Sequence, residues 1–265
     1  VELTTPQPLV NLRLFARRDF AVGVLALSVG YGLFFGNVVL LPLWLQQWMG
    51  YTATSAGFAL APVGIFAILL TPLVGKKVAV WDPRRMATGA FVGFAGVLYA
   101  RSQFTTQTDF IHIMVPTLAQ GAAMAFFFIP LTTITMSGLP PERIAAAAGL
   151  SNFVRISAGA MGTSITTTLW EHRAVMHHAH LVETLDRPDS PLALAMASLQ
   201  ASGLDATQAL ASIDRMIDQQ AYTRAADDIF LASAYCFLLL IGTIWFTHRP
   251  GRAAPGSRAA ADAAH

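Results

Sequence analysis

The chain has 265 residues, of which 54% are hydrophobic and only 12% are charged, and its formal net charge is +2. A soluble domain contains about 25% charged residues, so this chain has roughly half the charge that a water-exposed surface needs. These values exclude a disordered protein, a coiled coil and a basic nucleic-acid-binding protein. The single cysteine, Cys236, excludes a disulfide scaffold and a thiolate metal centre. The composition is that of a polytopic membrane protein.

Uncharged runs predict the membrane spans in chain order. Residues 20–75 contain no Asp, Glu, Lys or Arg, and a helix needs about 20 apolar residues to cross a bilayer, so this run holds two spans. At the end of the third span, Arg101 is expected to extend its side chain to the membrane surface. We therefore predict an all-α polytopic membrane protein with six spans, at 20–44, 53–75, 86–104, 110–136, 144–170 and 229–247.

The remaining segments complete the predicted organisation. The first residue is Val1 and the first methionine is Met49, so we expect the chain to begin inside a longer protein. Basic residues concentrate in the short loops that face one side, which predicts cytoplasmic N- and C-termini. The predicted segments are a cytoplasmic linker from a missing N-terminal part (1–19), transmembrane helices one to five (20–170), a long periplasmic loop with amphipathic helices (171–228), the last transmembrane helix (229–247) and a basic, alanine-rich cytoplasmic tail (248–265).

The tryptophans provide an independent test of the span assignment. All five fall at the ends of predicted spans or in a short loop, which is typical of the aromatic belts at the two membrane surfaces. The alternative, ordinary core residues, would place some of them at mid-span. The five are Trp44, Trp48, Trp81, Trp170 and Trp245.

Enzymatic motifs are missing from the sequence. It contains no H-E-x-x-H zinc motif, no G-x-S-x-G nucleophile elbow and no phosphate-binding glycine loop. Four histidines follow the fifth span, at His172, His177, His178 and His180, but no cysteine or carboxylate is spaced to complete a metal site with them. We expect a solvated cluster at the membrane surface there. The chain is therefore predicted to have no enzymatic activity, no metal and no cofactor.

One arginine lies near the middle of the fifth predicted span. Arg155 is 11 residues into that span, about 16 Å at 1.5 Å per residue. A charge at that depth costs at least about 2.5–3.5 kcal/mol, so it needs a partner or a water-filled cavity. The alternative is a structural arginine satisfied by backbone carbonyls. Steps of three and four residues place six positions on one small, polar helix face that should pack closely on another helix: Ala148, Asn152, Arg155, Gly159, Gly162 and Thr166.

Uncharged polar and aromatic residues at mid-span depth are further candidates for a substrate path. The mixture suits a large hydrophobic substrate that makes few hydrogen bonds, although each phenylalanine could equally face lipid. No Asp or Glu lies in the middle of a predicted span, and His112 is near an outer end, so proton-coupling carboxylates are expected outside this chain. The candidates are Asn37, Gln120, Thr132, Thr133, Phe34 and Phe127.

Several segments resemble the fourteen-span drug:proton antiporters of the major facilitator superfamily, the EmrB/QacA-type multidrug exporters. The resemblance covers residues 8 to about 247 and includes the long external loop before the last span. The segments that carry it are PLVNLRLF at 8–15 with Arg18-Asp19-Phe20, GYTATSAG at 50–57 running into APVG at 61–64, PLTTIT at 130–135 with SGLPPER at 137–143, and LSNF at 150–153 with Arg155 and GTSITTT at 162–168.

This resemblance implies a function as well as a fold. The six spans would form the C-terminal six-helix bundle of a proton-driven exporter that moves hydrophobic drugs across the bacterial inner membrane by alternating access. A periplasmic adaptor protein and an outer-membrane channel are the implied partners, and the proton gradient is the implied energy source. A cytoplasmic loop resembles a degraded copy of the superfamily's gating motif, at Lys76, Lys77, Asp82, Arg84 and Arg85.

Two other functions remain open at this stage. A related transporter could export one specific metabolite or siderophore, which the sequence does not distinguish from multidrug efflux. A membrane scaffold that does not transport could bind a periplasmic partner through residues 171–228.

Overall fold

A computed structural model of the chain describes residues 12–78, 80–185 and 192–247. In these ranges a short 3₁₀ helix (Leu12–Ala16) precedes eight α-helices, and no strand is present. The predicted tail at 248–265 and the first eleven residues of the predicted linker lie outside the described residues. The helices are α1 (Arg18–Gln47), α2 (Ala53–Leu60), α3 (Pro62–Lys77), α4 (Pro83–Arg101), α5 (Phe110–Met136), α6 (Pro141–Leu185), α7 (Leu192–Ala201) and α8 (Ala206–Trp245).

Five helical segments are long and apolar enough to cross a membrane: α1, the α2–α3 pair, α5, α6 and α8. The sixth predicted span corresponds to α4, which has 19 residues and carries Arg84, Arg85 and Arg101. These arginines lower its hydropathy, yet α4 packs between α5 and α8 in the middle of the bundle. Its role as a span stays a prediction.

The second predicted span is two helices rather than one. Helix α2 ends at Leu60 and α3 begins at Pro62, because proline has no N–H to continue the hydrogen-bond ladder of the preceding turn. The α2–α3 pair packs on α5. It is nevertheless the most exposed of the five span-length segments, since only 11% of its apolar 18-residue stretch is buried. Large apolar side chains such as Ile68 and Leu69 therefore face outward.

Beyond the fifth span the structure contains helices in the predicted loop, as expected, but α6 and α8 extend farther through it than predicted. Helix α6 continues 15 residues past Trp170 to Leu185, and α8 begins at Ala206, well before the predicted span at 229. Residues 171–185 contain no glycine or proline to end a helix, and an Asp205–Gln208 capping box starts α8. Most of the predicted loop is therefore a helical hairpin formed by the extensions of α6 and α8.

Phenylalanine side chains fill the centre of the bundle. The Phe94 ring of α4 stacks on Phe237 of α8 at 4.9 Å and meets the edge of Phe127 of α5 at 5.7 Å. Phe91 also contacts both Phe127 and Phe237. Because all four rings are 2% exposed or less, this contact fixes α4, α5 and α8 to one another.

Trp44 and Trp170 are core residues and not membrane-belt residues. They are 1% and 3% exposed, and each indole N–H donates to α8, Trp44 to Thr223 Oγ1 at 3.0 Å and Trp170 to the Tyr222 carbonyl at 2.9 Å. The belt interpretation of these two residues is therefore wrong. At these span ends α8 supplies the hydrogen-bond acceptor of each indole N–H. Trp81 and Trp245, by contrast, are about half exposed.

Candidate translocation site

Arg155 lies against the faces of two aromatic rings where α1, α5 and α6 meet. Its guanidinium carbon is 5.0 Å from the centre of the Tyr31 ring and 5.7 Å from that of Phe128, distances at which a cation is attracted to a ring face. Tyr31 also packs on Phe35 at 4.4 Å and meets Phe128 at 5.9 Å. We call Tyr31, Phe35 and Phe128, all half-buried, the aromatic shelf.

The guanidinium of Arg155 uses only part of its hydrogen-bonding capacity. One terminal nitrogen donates to Asn152 Oδ1, one turn earlier on α6. The Nε atom is buried and has no hydrogen-bond partner in the part of the chain that the structure describes. In the same part of the chain, no carboxylate lies within salt-bridge distance of this guanidinium. The site is therefore a half-buried cation on an aromatic surface, with an exposed amide beside it.

Small residues position this site by bringing α1 and α6 into close contact. A Cβ atom added at Gly32 would lie 2.8 Å from the Ala158 carbonyl oxygen, and one added at Gly159 would lie 2.8 Å from the Tyr31 ring. Gly162 packs directly on the Gly32 backbone. Larger side chains at these positions would separate the helices, so the glycines set the distance between the α6 backbone and the aromatic shelf.

The two phenylalanines that the sequence nominated lie elsewhere. Phe34 is 8% and Phe127 is 1% exposed, and both pack on Phe94 in the bundle core. Their neighbours in sequence, Phe35 and Phe128, belong to the aromatic shelf instead. A role for Phe34 and Phe127 in the substrate path stays a prediction, and the structure gives each a packing role.

Asn37 and Gln120 are buried and hydrogen-bonded between helices. Asn37 Nδ2 donates to the Leu33 carbonyl at 2.7 Å and to Ser233 Oγ of α8 at 3.1 Å. Gln120 Oε1 accepts a hydrogen bond from Arg101 at 2.7 Å. These bonds join α1 to α8 and α5 to α4.

Thr132 and Thr133 make local hydrogen bonds only. Their hydroxyls donate to the carbonyls of Phe128 and Ile129, four residues earlier on α5. Thr132 is exposed and Thr133 is half-buried. The structure therefore places both on the surface of α5, outside the shelf.

Arg101 does not extend to the membrane surface, so that expectation is wrong. Its side chain is 1% exposed and donates from Nη2 to Thr117 Oγ1 at 3.1 Å and to Gln120 Oε1 at 2.7 Å. The polar side chains of α5 supply these acceptors inside the bundle. The charge is therefore hydrogen-bonded internally.

The loop before α4, which the sequence predicts to be a cytoplasmic gating motif, contains several side-chain contacts. The Asp82 carboxylate accepts the Arg84 N–H at 3.0 Å and so caps α4. Arg84 donates to the Thr247 carbonyl at 2.9 Å, at the end of α8. Lys77 lies 4.4 Å over the Trp81 ring. Lys76 and Arg85 are exposed, and Arg85 lines a cavity of about 580 Å³ together with Trp81, Met86, Gly89 and Phe126.

The histidines beyond the fifth span pair with carboxylates of α8. His177 Nε2 is 2.8 Å from Asp228 Oδ2, and His178 Nδ1 is 2.8 Å from Asp218 Oδ1. Within the described ranges, no group of three or more His, Cys, Asp or Glu side chains has the arrangement of a metal site. These contacts hold the extensions of α6 and α8 together. At the start of α5, the exposed His112 contacts the capping residue Asp109.

Sequence reasoning missed Tyr31. Tyr31 and Phe35 are four residues apart on α1, next to Gly32 and Gly36. Both glycines pack on α6. The alternation of small and aromatic residues was therefore the signal that these rings border the α1–α6 contact.

Comparison with known proteins gives the family. The sequence profile of the Major Facilitator Superfamily matches residues 2–163. The Multidrug export protein EmrB of Escherichia coli (strain K12) is 48% identical over 258 residues, which are 96% of this chain and 50% of that protein. EmrB of Haemophilus influenzae is 41% identical over 94% of this chain and 49% of its own length. The Fatty acid resistance protein FarB of Neisseria gonorrhoeae is 39% identical, with the same two coverages.

The chain spans about half the length of these relatives. The family profile covers more than half of the chain, and the helices are arranged as an all-α bundle with several apolar, span-length members. The chain therefore has the helices of a multi-pass membrane protein and belongs to the Major Facilitator Superfamily.

Proposed function

We propose that this chain is the C-terminal half of a proton-driven multidrug efflux transporter that exports hydrophobic compounds across the bacterial inner membrane by alternating access. The observation that carries the proposal is the half-buried Arg155 cation on the aromatic shelf. An apolar substrate can pack on the aromatic rings while its polar group meets Arg155 and Asn152. Two relatives that match almost the whole chain are named multidrug export proteins, which supports the same function.

The same proposal implies where the other half of the transporter packs. Large apolar side chains of α6 such as Phe153 and Met161 are exposed, on the helix that also carries Arg155. In a two-bundle transporter the opposing half would cover this side of α6, and the central site would lie between the halves. The proton-coupling carboxylates belong to that other half, because the predicted mid-span segments of this chain contain none.

Orientation and partners are part of the proposal. Both termini lie in the cytoplasm, as the basic short loops favour, so the α6–α8 hairpin projects into the periplasm. This hairpin is the surface closest to a periplasmic adaptor protein, which would connect the transporter to an outer-membrane channel.

The test uses the complete protein that contains this chain, in a bacterial host lacking its own drug exporters. Arg155→Ala should reduce efflux of a hydrophobic fluorescent compound by about tenfold or more while the protein level in the membrane is unchanged, because an ionisable side chain within a membrane span marks a functional site by default. Arg173→Ala is the matched control, since Arg173 is an exposed cation on the same helix. Wild-type efflux by the Arg155→Ala protein would contradict the proposal.

Two further measurements separate the alternatives. Competition between the fluorescent compound and structurally unrelated drugs in inverted vesicles is expected, whereas competition by one metabolite alone would indicate a dedicated exporter. Deletion of residues 186–222 should weaken binding of a periplasmic partner. Loss of partner binding by the deletion variant, with transport intact, would favour a scaffold role for that segment.

A further inference from the structure

Asp227 is a carboxylate of α8 with one oxygen that has no partner. It precedes the predicted last span at 229–247, and its Oδ1 atom is buried without a hydrogen bond to any described residue. The residue as a whole is half-buried. A buried, unpaired oxygen makes the ionised form of a carboxylate costly, because the negative charge loses part of its hydration and no hydrogen bond replaces it. The protonated form does not have this cost.

The helix register explains this burial. Asp227 lies four residues after Thr223 and three before Phe230, so the three share one face of α8. Thr223 is 3% exposed and accepts the indole hydrogen bond of Trp44. Phe230 is fully buried and packs on Phe104, which stacks on Trp44 at 5.7 Å. The face that carries Asp227 therefore packs on aromatic side chains of α1 and of the segment after α4.

The neighbouring carboxylate is in the opposite situation. Asp228 lies about 100° around the helix axis from Asp227. Its Oδ2 atom is 2.8 Å from His177 Nε2 and 3.7 Å from Arg173 Nη1, both on α6. Arg173 and His177 of α6 thus contact Asp228, and His178 contacts Asp218. None of them lies within salt-bridge distance of Asp227.

The other packed elements offer no counter-ion either. Arg224, one turn earlier on α8, is exposed and makes no salt bridge to a described residue. Arg101 of α4 donates to side chains of α5. The outer turns of α1, from residue 36 to residue 47, and helix α7 contain no charged residue. Burial, followed by the charge of Asp228, raises the pKa of Asp227 to about 8, against a smaller lowering effect of Arg224.

We propose that Asp227 is a proton-binding site on the outer segment of α8 and that release of its proton weakens the packing of this segment against α1 and α4. The proton is retained because Asp227 Oδ1 is buried on the helix face that packs on Trp44 and Phe104, while the adjacent Asp228 contacts Arg173 and His177 of α6. This site goes beyond the proposed efflux function, since it acts on the packing of this chain and needs no transport to be observed.

The sign of the pH effect follows from proton linkage. An aspartate in an unfolded chain ionises near pH 4, whereas folded Asp227 keeps its proton to about pH 8. Between these values the folded state binds more protons than the unfolded state, so the free energy of unfolding falls as pH rises through this window. Above about pH 8 this contribution no longer changes.

The experiment measures the thermal unfolding midpoint of the purified complete protein between about pH 6 and pH 9. The wild-type midpoint should fall with pH by about 2 °C or more, and Asp227→Asn, which cannot ionise, should remove most of that fall. Asp228→Asn is the matched control. It loses the contacts to His177 and Arg173 and should be less stable at each pH. Because the charge of Asp228 no longer raises the pKa of Asp227, the fall should move to lower pH but should not be removed.

Infrared difference spectra between the two pH values provide a second readout. A protonated-carboxyl band should disappear at high pH in the wild type and in Asp228→Asn, and should be missing in Asp227→Asn. If Asp227→Asn does not accumulate, Asp227→Ala serves for both measurements. An unchanged pH dependence and an unchanged carboxyl band in the Asp227 variant would overturn the proposal. A failure of drug efflux with these pH effects intact would overturn the proposed function alone.

Discussion

The two sides of the helix bundle accommodate an arginine in different ways. On the packed side, formed by α4, α5 and α8, Arg101 is almost completely buried and is hydrogen-bonded to Gln120. On the open side, formed by α1 and α6, Arg155 is half-buried and faces the rings of Tyr31 and Phe128. The first arginine is enclosed by its own bundle, whereas the second retains a surface that a ligand can reach.

The packing around the two arginines explains this difference. The packed side is filled by phenylalanines such as Phe94 and Phe237, whose rings stack at 4.9 Å. The open side is built from small residues, so that Gly32 and Gly162 bring two backbones into contact. Close backbone contact leaves no room for side chains between α1 and α6, and the large side chains are displaced to the border of the contact. The aromatic shelf and Arg155 lie at that border.

The largest expected effect comes from disrupting the small-residue contact. Gly162→Leu should cost about 3 kcal/mol or more, because its side chain would overlap the Gly32 backbone and force α1 away from α6. Thermal unfolding of the purified protein and its level in the membrane measure the effect. Gly242→Leu is the control, since Gly242 is a helical glycine of α8 with open space around it. Equal stability of the two variants would contradict a close α1–α6 contact.

A smaller effect is expected from removing the enclosed arginine. Arg101→Met should cost about 1–3 kcal/mol of stability, because it leaves the Gln120 carbonyl buried without its donor. The double variant Arg101→Met with Gln120→Leu should recover most of this loss, since removal of both polar partners leaves no unpaired group. Drug efflux per transporter molecule should be unchanged in both proteins. A double variant less stable than the single one would show that the charge of Arg101 is itself required.

Two adjacent phenylalanines distinguish the packed side from the open side within one helix. Phe127→Leu should lower stability by about 1–2 kcal/mol, because its ring is buried among Phe91 and Phe94. Phe128→Leu should instead lower the apparent affinity for a hydrophobic drug by about two- to fivefold, as removal of a ring face at a partly exposed cation costs about 0.5–1 kcal/mol. Stability and transport assays on both variants make the comparison. If Phe127→Leu lowered drug affinity and Phe128→Leu lowered stability, the aromatic shelf would not be the drug-binding surface.

The helices could be predicted from the sequence because membrane insertion imposes a simple rule on charge. Helix α5 has the bounds predicted for its span, 110–136, since Asp109 caps its first turn and Gly138 has a positive φ just beyond its end. The length of α6 could not be obtained in this way. Beyond the predicted span, charged residues no longer mark the end of the helix. The extension instead packs on α8, where His177 contacts Asp228.

The candidate site could be predicted only in part, because periodicity identifies a helix face but not the residue that the face contacts. Arg155 and Asn152 were placed together by their spacing, and the structure joins them by a hydrogen bond. Phe34 and Phe35 are neighbours at the same depth, yet only tertiary packing directs the first to the core and the second to the shelf. For the same reason, the sequence did not show that Arg101 meets Gln120, 19 residues away on another helix.

The smallest expected effect concerns Asn37, which joins the two sides by linking α1 to α8. Asn37→Ala should cost about 0.6–1.7 kcal/mol, the range found for hydrogen bonds between membrane helices, because it removes the bond to Ser233 Oγ. Unfolding of Asn37→Ala, Ser233→Ala and the double variant forms a thermodynamic cycle that isolates this bond. A coupling energy within that range, with efflux retained, would assign Asn37 to helix association. If Asn37 and Ser233 show no coupling and Asn37→Ala changes which drugs are exported, Asn37 belongs to the substrate path. The substrate surface would then extend from the aromatic shelf to Asn37.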